Sequence, residues 1–181
     1  EIEIVKRSLF KKINKAKIIN MKINNKNLRY KITHRLSKQL INEKILKISR
    51  RSKYLIFHFK KKLLLVHLGM TGKFLIIRNK DKRMFKTSFY YNLDILSKHN
   101  HIYFILDNGL VLIYNDVRRF GFFKLFKTRK LKEITYLKKL GPEPFSVLFS
   151  VQYVQKFIKN RKRNIKNLLM DQTFVSGLGN I

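Results

Sequence analysis

The sequence predicts an α+β chain. One amino-terminal helix leads into an antiparallel β-sandwich or barrel, and a helical segment follows. Three observations carry this reading. Short apolar runs recur from residue 16 to residue 126 with no long helical pattern between them. Asp107-Asn108-Gly109 separates two of those runs as a tight hairpin turn would. Leu140-Gly141-Pro142-Glu143-Pro144 holds both prolines, and after it the apolar spacing turns helical.

Each element has its own signal. Ile2, Val5, Leu9 and Ile13 fall near helical spacing, with Lys6, Arg7, Lys11 and Lys12 mostly on the other face. Strands are expected over Ala16 to Ile23, Asn27 to Thr33, Lys53 to Lys60, Leu63 to Leu68 and Lys73 to Arg78. They continue over His101 to Leu106, Leu110 to Tyr114 and Phe122 to Phe126. Asn-Gly is expected to supply the positive φ angles of the hairpin turn. The polar stretch Asn79 to Asn100 reads as a long loop. Val147, Val151, Val154 and Ile158 repeat at helical spacing, with Phe157 beside them. Ile165, Leu168, Leu169 and Phe174 continue after the basic break Arg161-Lys162-Arg163. The expected division is a β-sandwich domain over 1–127, a linker over 128–144 and a helical domain beginning at 145–181.

Charge narrows the partner. The 181 residues carry 42 Lys and Arg against 10 Asp and Glu, a formal net charge of +32. A polyanion is implied, nucleic acid before an anionic membrane. Lysine supplies 30 of the 42, as an A/T-rich genome would also produce, so charge alone is not the argument. No cysteine is present, which excludes a disulfide framework or thiolate metal site within these residues. His34, His58, His67, His99 and His101 show no ligand spacing, so no metal is expected here. No run is long enough for a membrane span, and a cytoplasmic protein without a membrane partner is expected. Glu1 is not an initiator and no charged tail closes the sequence after Ile181. The chain is therefore expected to be a fragment missing both ends.

Tyr114-Asn115-Asp116-Val117-Arg118-Arg119-Phe120-Gly121 is the most informative stretch. Two arginines suit phosphates and base edges, and the adjacent ring can wedge between stacked bases. Read singly, Met70 and Phe120 also fit a core. Arg118 is the strongest candidate, because arginine is rarely buried.

Six segments together resemble one family, the bacterial formamidopyrimidine-DNA glycosylases. They are Glu1-Ile2-Glu3, Arg51-Ser52-Lys53-Tyr54-Leu55, His67-Leu68-Gly69-Met70-Thr71-Gly72, Asp116 to Gly121, Leu140 to Pro144 and Ile165 to Ile181. They occur in the family's order along nearly the whole chain. The resemblance implies an N-terminal helix plus antiparallel β-sandwich, followed by the start of a helical helix-two-turn-helix DNA-binding domain. A zinc finger is implied outside these residues, with zinc as its cofactor.

The resemblance also implies the chemistry. Family members attack C1′ of a damaged nucleoside with an amino-terminal proline, assisted by the next glutamate. The proline forms a Schiff base and drives strand cleavage. Both residues would precede Glu1, so neither is present in this chain. Lys53 matches the family's catalytic-site lysine. Met70, Arg118 and Phe120 match the trio that fills the gap left by a flipped-out lesion. His99, Arg161, Lys166 and Asn180 match phosphate contacts, with Asn180 placed at a helix start after Gly177 and Gly179. The implied function is base-excision repair of oxidised purines in double-stranded DNA by a monomeric bifunctional glycosylase and AP lyase, in the bacterial nucleoid. The competing reading is a catalytically inactive basic protein that binds nucleic acid.

Overall fold

The computed structural model describes residues 1–33, 35–85, 87 and 96–180. Two compact units are present. One comprises Glu1–Arg50 with Tyr54–Arg129, the other Arg51–Lys53 with Lys130–Ile181.

The first unit opens with helix α1, Ile2–Ile13, which buries Val5, Leu9 and Ile13 at intervals of four. Glu3 in its first turn and Lys11 and Lys12 in its last complement the helix dipole. Glu3 also accepts from Lys6, Arg7 and Arg50. The Lys6 hydrogen bond, then those of Arg7 and Arg50, outweigh burial and hold its carboxyl down at about 2. A depressed carboxyl contributes stability above its unfolded value of 4.5 and loses it as pH falls towards the folded one. Thermal melts between pH 5 and pH 2 should therefore fall less steeply in Glu3→Gln than in the wild type. Parallel curves would show that Glu3 contributes nothing.

Strand β1, Ile18–Ile23, is followed by helix α2, Arg35–Leu40, and strand β2, Lys47–Arg51. Strands β3, Tyr54–His58, β4, Lys62–His67, β5, Lys73–Arg78, and β6, Met84–Phe85, come next. After a 3-10 turn at Ser97–His99 come β7, Asn100–Leu106, β8, Leu110–Asn115, and β9, Phe122–Lys127. They form a five-stranded sheet in the order β1-β7-β8-β5-β6 and a four-stranded sheet in the order β2-β3-β4-β9. One continuous core takes Leu55, Phe57, Leu64 and Val66 from the smaller sheet and Phe74, Ile76, Phe104 and Leu112 from the larger. The antiparallel sandwich is therefore as expected.

Tyr114 anchors the end of β8. It is fully buried, with ring centroids 4.8 Å from Phe123 and 5.5 Å from Phe74, both edge-to-face. The core thereby fixes the end of β8, from which the Arg118-Arg119-Phe120 loop departs.

Several expectations are corrected. Residues 27–33 form no strand. The Asn25 side chain accepts from Asn27 N, and Lys26 O accepts from both Leu28 N and Ile32 N, closing a loop. Leu28, Tyr30 and Ile32 alternate like a strand, but Leu28 and Ile32 are pulled into the core by that loop. In the hairpin turn Gly109 alone has positive φ, at 75°. Asn108 contributes its side chain instead, accepting from Leu110 N at 3.2 Å. The expected 79–100 loop contains β6 and the 3-10 turn, while residues 86 and 88–95 lie outside those described. His34 also lies outside them.

A 3-10 segment at Thr128–Glu133 begins at the end of the first unit and continues into the second, where helix α3, Thr135–Lys138, follows; both lie inside the stretch expected as a linker. Helices α4, Val151–Ile158, and α5, Ile165–Met170, follow, capped by Ser150 and Asn164. The helical face differs from the one the valines suggested. Val147 lies outside α4 at 95% exposed, and Val151 is 69% exposed. Tyr153, Val154 and Phe157 pack instead on Leu168, Phe174 and Val175. Phe157 stacks on Phe174 at 4.5 Å, and the Tyr153 hydroxyl donates to Phe174 O at 2.7 Å. The stacked rings take the places that Val147 and Val151 leave, because each ring removes more apolar surface from water.

Candidate nucleic-acid interface

In the first unit the 68–72 turn and the 116–121 loop meet around Asp116, which is fully buried. Its carboxylate accepts from the Thr71 hydroxyl at 2.5 Å, the Tyr114 hydroxyl at 2.9 Å and Gly121 N at 2.9 Å. Its backbone N–H donates to His99 O at 3.1 Å. Burial, and then the Asp116 charge, push the Tyr114 hydroxyl far up, so it remains a donor. Thr71 in turn accepts from Arg118 N at 3.1 Å. Gly69 has φ 71°, and a Cβ there would meet Phe120 C at 2.7 Å. Only glycine lets the two backbones come this close.

This frame presents three side chains together. Met70 is 73% exposed and Phe120 is 44% exposed. The Arg118 guanidinium donates to the Met70 sulfur at 3.3 Å and lies 4.5 Å over the Phe120 ring. A thioether, a guanidinium and a ring thus make one exposed projection, polarizable and cationic. His99 is half-buried in the 3-10 turn that Asp116 ties down. His101 is a buried sheet histidine with Nε2 2.7 Å from Asp116 O, and among the described residues its Nδ1 has no partner.

The second unit holds Lys53 against the 177–179 loop. A Cβ on Gly179 would collide with the Lys53 amine. Burial lowers the readiness of that amine to hold its proton, shifting its pKa down from 10.5. Gln172 organises the surroundings. Its carbonyl accepts from Gly177 N at 2.9 Å and from the Ser52 hydroxyl at 3.4 Å, and its amide donates to Leu178 O at 2.9 Å. Ser52 N donates to Glu143, and Arg51 donates to Gly141 O at 2.7 Å while pairing with Glu143 at 3.4 Å. Asn180 is exposed in irregular backbone at the end of this loop. Arg161 is exposed, 4.0 Å over the Phe157 ring, and Lys166 is exposed on α5.

The structure thus gathers Met70, Arg118, Phe120 and His99 around Asp116, and Lys53 with the residues leading to Asn180. Sequence reasoning assigned no role to Thr71, Tyr114, Asp116 or Gln172. Their signal was available only as polar residues inside the motifs. Among the described residues no group of three metal-ligating side chains occurs, and no helix is long and apolar enough to cross a membrane.

Residues 1–123 match the formamidopyrimidine-DNA glycosylase N-terminal domain, and residues 140–181 match the H2TH domain of the same enzymes. The chain belongs to the formamidopyrimidine-DNA glycosylase family. A glycosylase of this name from Bartonella tribocorum is 43% identical over an alignment 188 residues long that covers all of this chain and 62% of that protein. One from Rickettsia massiliae is 40% identical over an alignment 182 residues long that covers all of this chain and 60% of that protein. The chain therefore spans about three fifths of the length of these relatives. Among solved structures, Lactococcus lactis Fpg bound to DNA containing an abasic site matches at TM-score 0.85 and 34% identity, covering all of this chain and 63% of that one. The same enzyme bound to DNA containing Fapy-dG matches at 0.83 and 33%, covering 99% and 63%.

Proposed function

We propose that this protein is a base-excision repair glycosylase that removes oxidised purines, formamidopyrimidine and 8-oxoguanine, from duplex DNA and cleaves the strand through a Schiff base. The observation that carries the reading is the exposed group of Met70, Arg118 and Phe120 held on a buried Asp116 frame. Extruding a nucleotide leaves a vacancy in the stack. Met70 and Arg118 enter it, and Phe120 wedges the opposite strand. The Lactococcus lactis relative, solved with abasic-site and Fapy-dG DNA, supports the substrate class.

In the reaction an amine adds to C1′ as the glycosidic bond breaks, and the base leaves with a proton. The C1′–O4′ bond then opens, with O4′ taking the proton that the attacking amine gives up, and leaves an iminium at C1′; this acidifies the C2′ hydrogen, so its removal as a proton expels the 3′ phosphate. The chain's two prolines, Pro142 and Pro144, are mid-chain amides and cannot be that amine. Lys53, partly desolvated, moves a proton or holds a phosphate near the sugar. His99, Arg161, Lys166 and Asn180 contact phosphates. Zinc, which the family implies, fits no residue set described here, since cysteine is absent. The protein acts as a monomer on bacterial chromosomal DNA in the cytoplasm.

Expressed as its gene encodes it, the protein should form a borohydride-trapped adduct with an 8-oxoguanine duplex. Binding without any adduct would leave a basic clamp that does no chemistry. Arg118→Ala should slow lesion processing about 10- to 100-fold. Its salt slope on undamaged duplex should change by no more than about 0.9, one phosphate contact. Equal losses on damaged and undamaged duplex would make Arg118 a phosphate contact only.

A further inference from the structure

The second unit leaves an apolar surface bare at the start of α4. Phe145 is 104% exposed, Val147 95%, Leu148 71% and Val151 69%. Phe149, between them, points the other way and packs on Phe174, with ring centroids 5.8 Å apart. The segment is fixed rather than loose. Ser146 N donates to Glu143 O at 3.0 Å and Phe149 N to Ser146 O at 2.9 Å. The Ser150 side chain caps α4 by accepting from Tyr153 N at 3.2 Å. The outward side chains therefore stand on backbone that is already ordered, and binding through them costs little further entropy.

Single exposed apolar residues are ordinary, but a group of neighbours is not. A fully exposed phenylalanine offers ~200 Å². With its three aliphatic neighbours the patch reaches roughly 600 Å², the top of the range for the largest patch on a monomer.

Charge decides what can cover it. Each carboxylate within residues 130–180 has a cation of this chain. Glu133 pairs with Lys130 at 3.5 Å, Glu143 with Arg51 at 3.4 Å and Asp171 with Arg163 at 3.0 Å. Lys138, Lys139 and Lys156 are the cations nearest the patch in sequence, and all three are exposed. Among the described residues no carboxylate forms an ion pair with them. A second copy of this chain fits poorly, because it would set cations against cations at a formal +32 on each molecule. The patch also falls short of the about 800 Å² per partner of a standard interface.

We propose that Phe145, Val147, Leu148 and Val151 form a docking surface for an acidic protein segment, one that presents apolar side chains flanked by Asp and Glu. The ring and the aliphatic side chains supply a dry centre, and the three lysines supply a charged rim. An area of this size gives a transient contact rather than a permanent complex. None of these residues is among those assigned to DNA, so the surface does not depend on the repair reading.

The test uses the protein as its gene encodes it and a short fluorescein-labelled peptide of alternating Phe, Leu, Asp and Glu. Anisotropy should report binding that weakens as salt rises, and that weakens about tenfold when serine replaces the peptide's Phe and Leu. Phe145→Ser/Leu148→Ser should lose about tenfold in affinity for the intact peptide, with its melting temperature and its affinity for undamaged duplex unchanged. Equal binding by variant and wild type would reduce the contact to general attraction by net charge, and overturns the proposal. A lower melting temperature in the variant would mean that residues of the same protein already cover the patch. Loss of a dimer on sedimentation would assign the patch to a second copy, and a matched loss of duplex affinity would assign it to DNA. Each of these three results also overturns it.

Discussion

Asp116→Ala should be the most damaging single change in the first unit. It leaves the Thr71 and Tyr114 hydroxyls and Gly121 N without their acceptor. Each orphaned buried donor costs about 1–3 kcal/mol, and a total loss of about 3–5 kcal/mol is expected. Tyr114 keeps a weak alternative in Leu68 O at 3.3 Å, which limits the loss. The same change frees Arg118 N from its Thr71 anchor, so lesion processing should fall further than stability explains. Urea unfolding measures the first effect, and single-turnover excision under fully folded conditions measures the second. A variant as stable as the wild type, with normal excision, would remove Asp116 from the account of the loop.

Lys53→Ala should abolish most strand cleavage. Removing a positioned proton-transfer group costs about 10²- to 10⁴-fold, whereas giving up one phosphate changes the salt slope by only about 0.9. Single-turnover cleavage of a preformed abasic-site duplex separates the two. Gly179→Ala is the companion variant. Its new Cβ would run into the Lys53 amine and push that flexible end towards water. Burial is what holds the amine's pKa below 10.5. Hydration should therefore move the Lys53-dependent limb of the pH–rate profile upward. An unmoved limb would mean that another group titrates there.

The strands rich in apolar residues were legible because β3, β4, β5, β7 and β8 each carry several large side chains at sheet spacing. Strand β2, Lys-Ile-Ser-Arg-Arg, buries only Ile48 fully and gives almost no pattern. Helix α2 is six residues long, too short for its two buried leucines to declare a period. The 27–33 loop failed for the opposite reason, since Leu28, Tyr30 and Ile32 imitate a strand while Asn25 closes a local turn. At the site, the contiguous motifs pointed to Met70, Arg118, Phe120 and Lys53. Their supports were hidden because Thr71 and Asp116 meet across 45 residues, and Ser52 and Gln172 across 120. Nothing in local spacing announces a hydrogen bond between distant neutral and acidic side chains.

The stacking of Arg118 over Phe120 would also discourage self-association through that ring. A half-bare phenylalanine at a tip invites sticking. Here any second molecule seeking that ring would first have to strip water from the cation lying on it, at a net charge of +32 repelled by +32. A polyanion faces no such barrier, because the same charge attracts it.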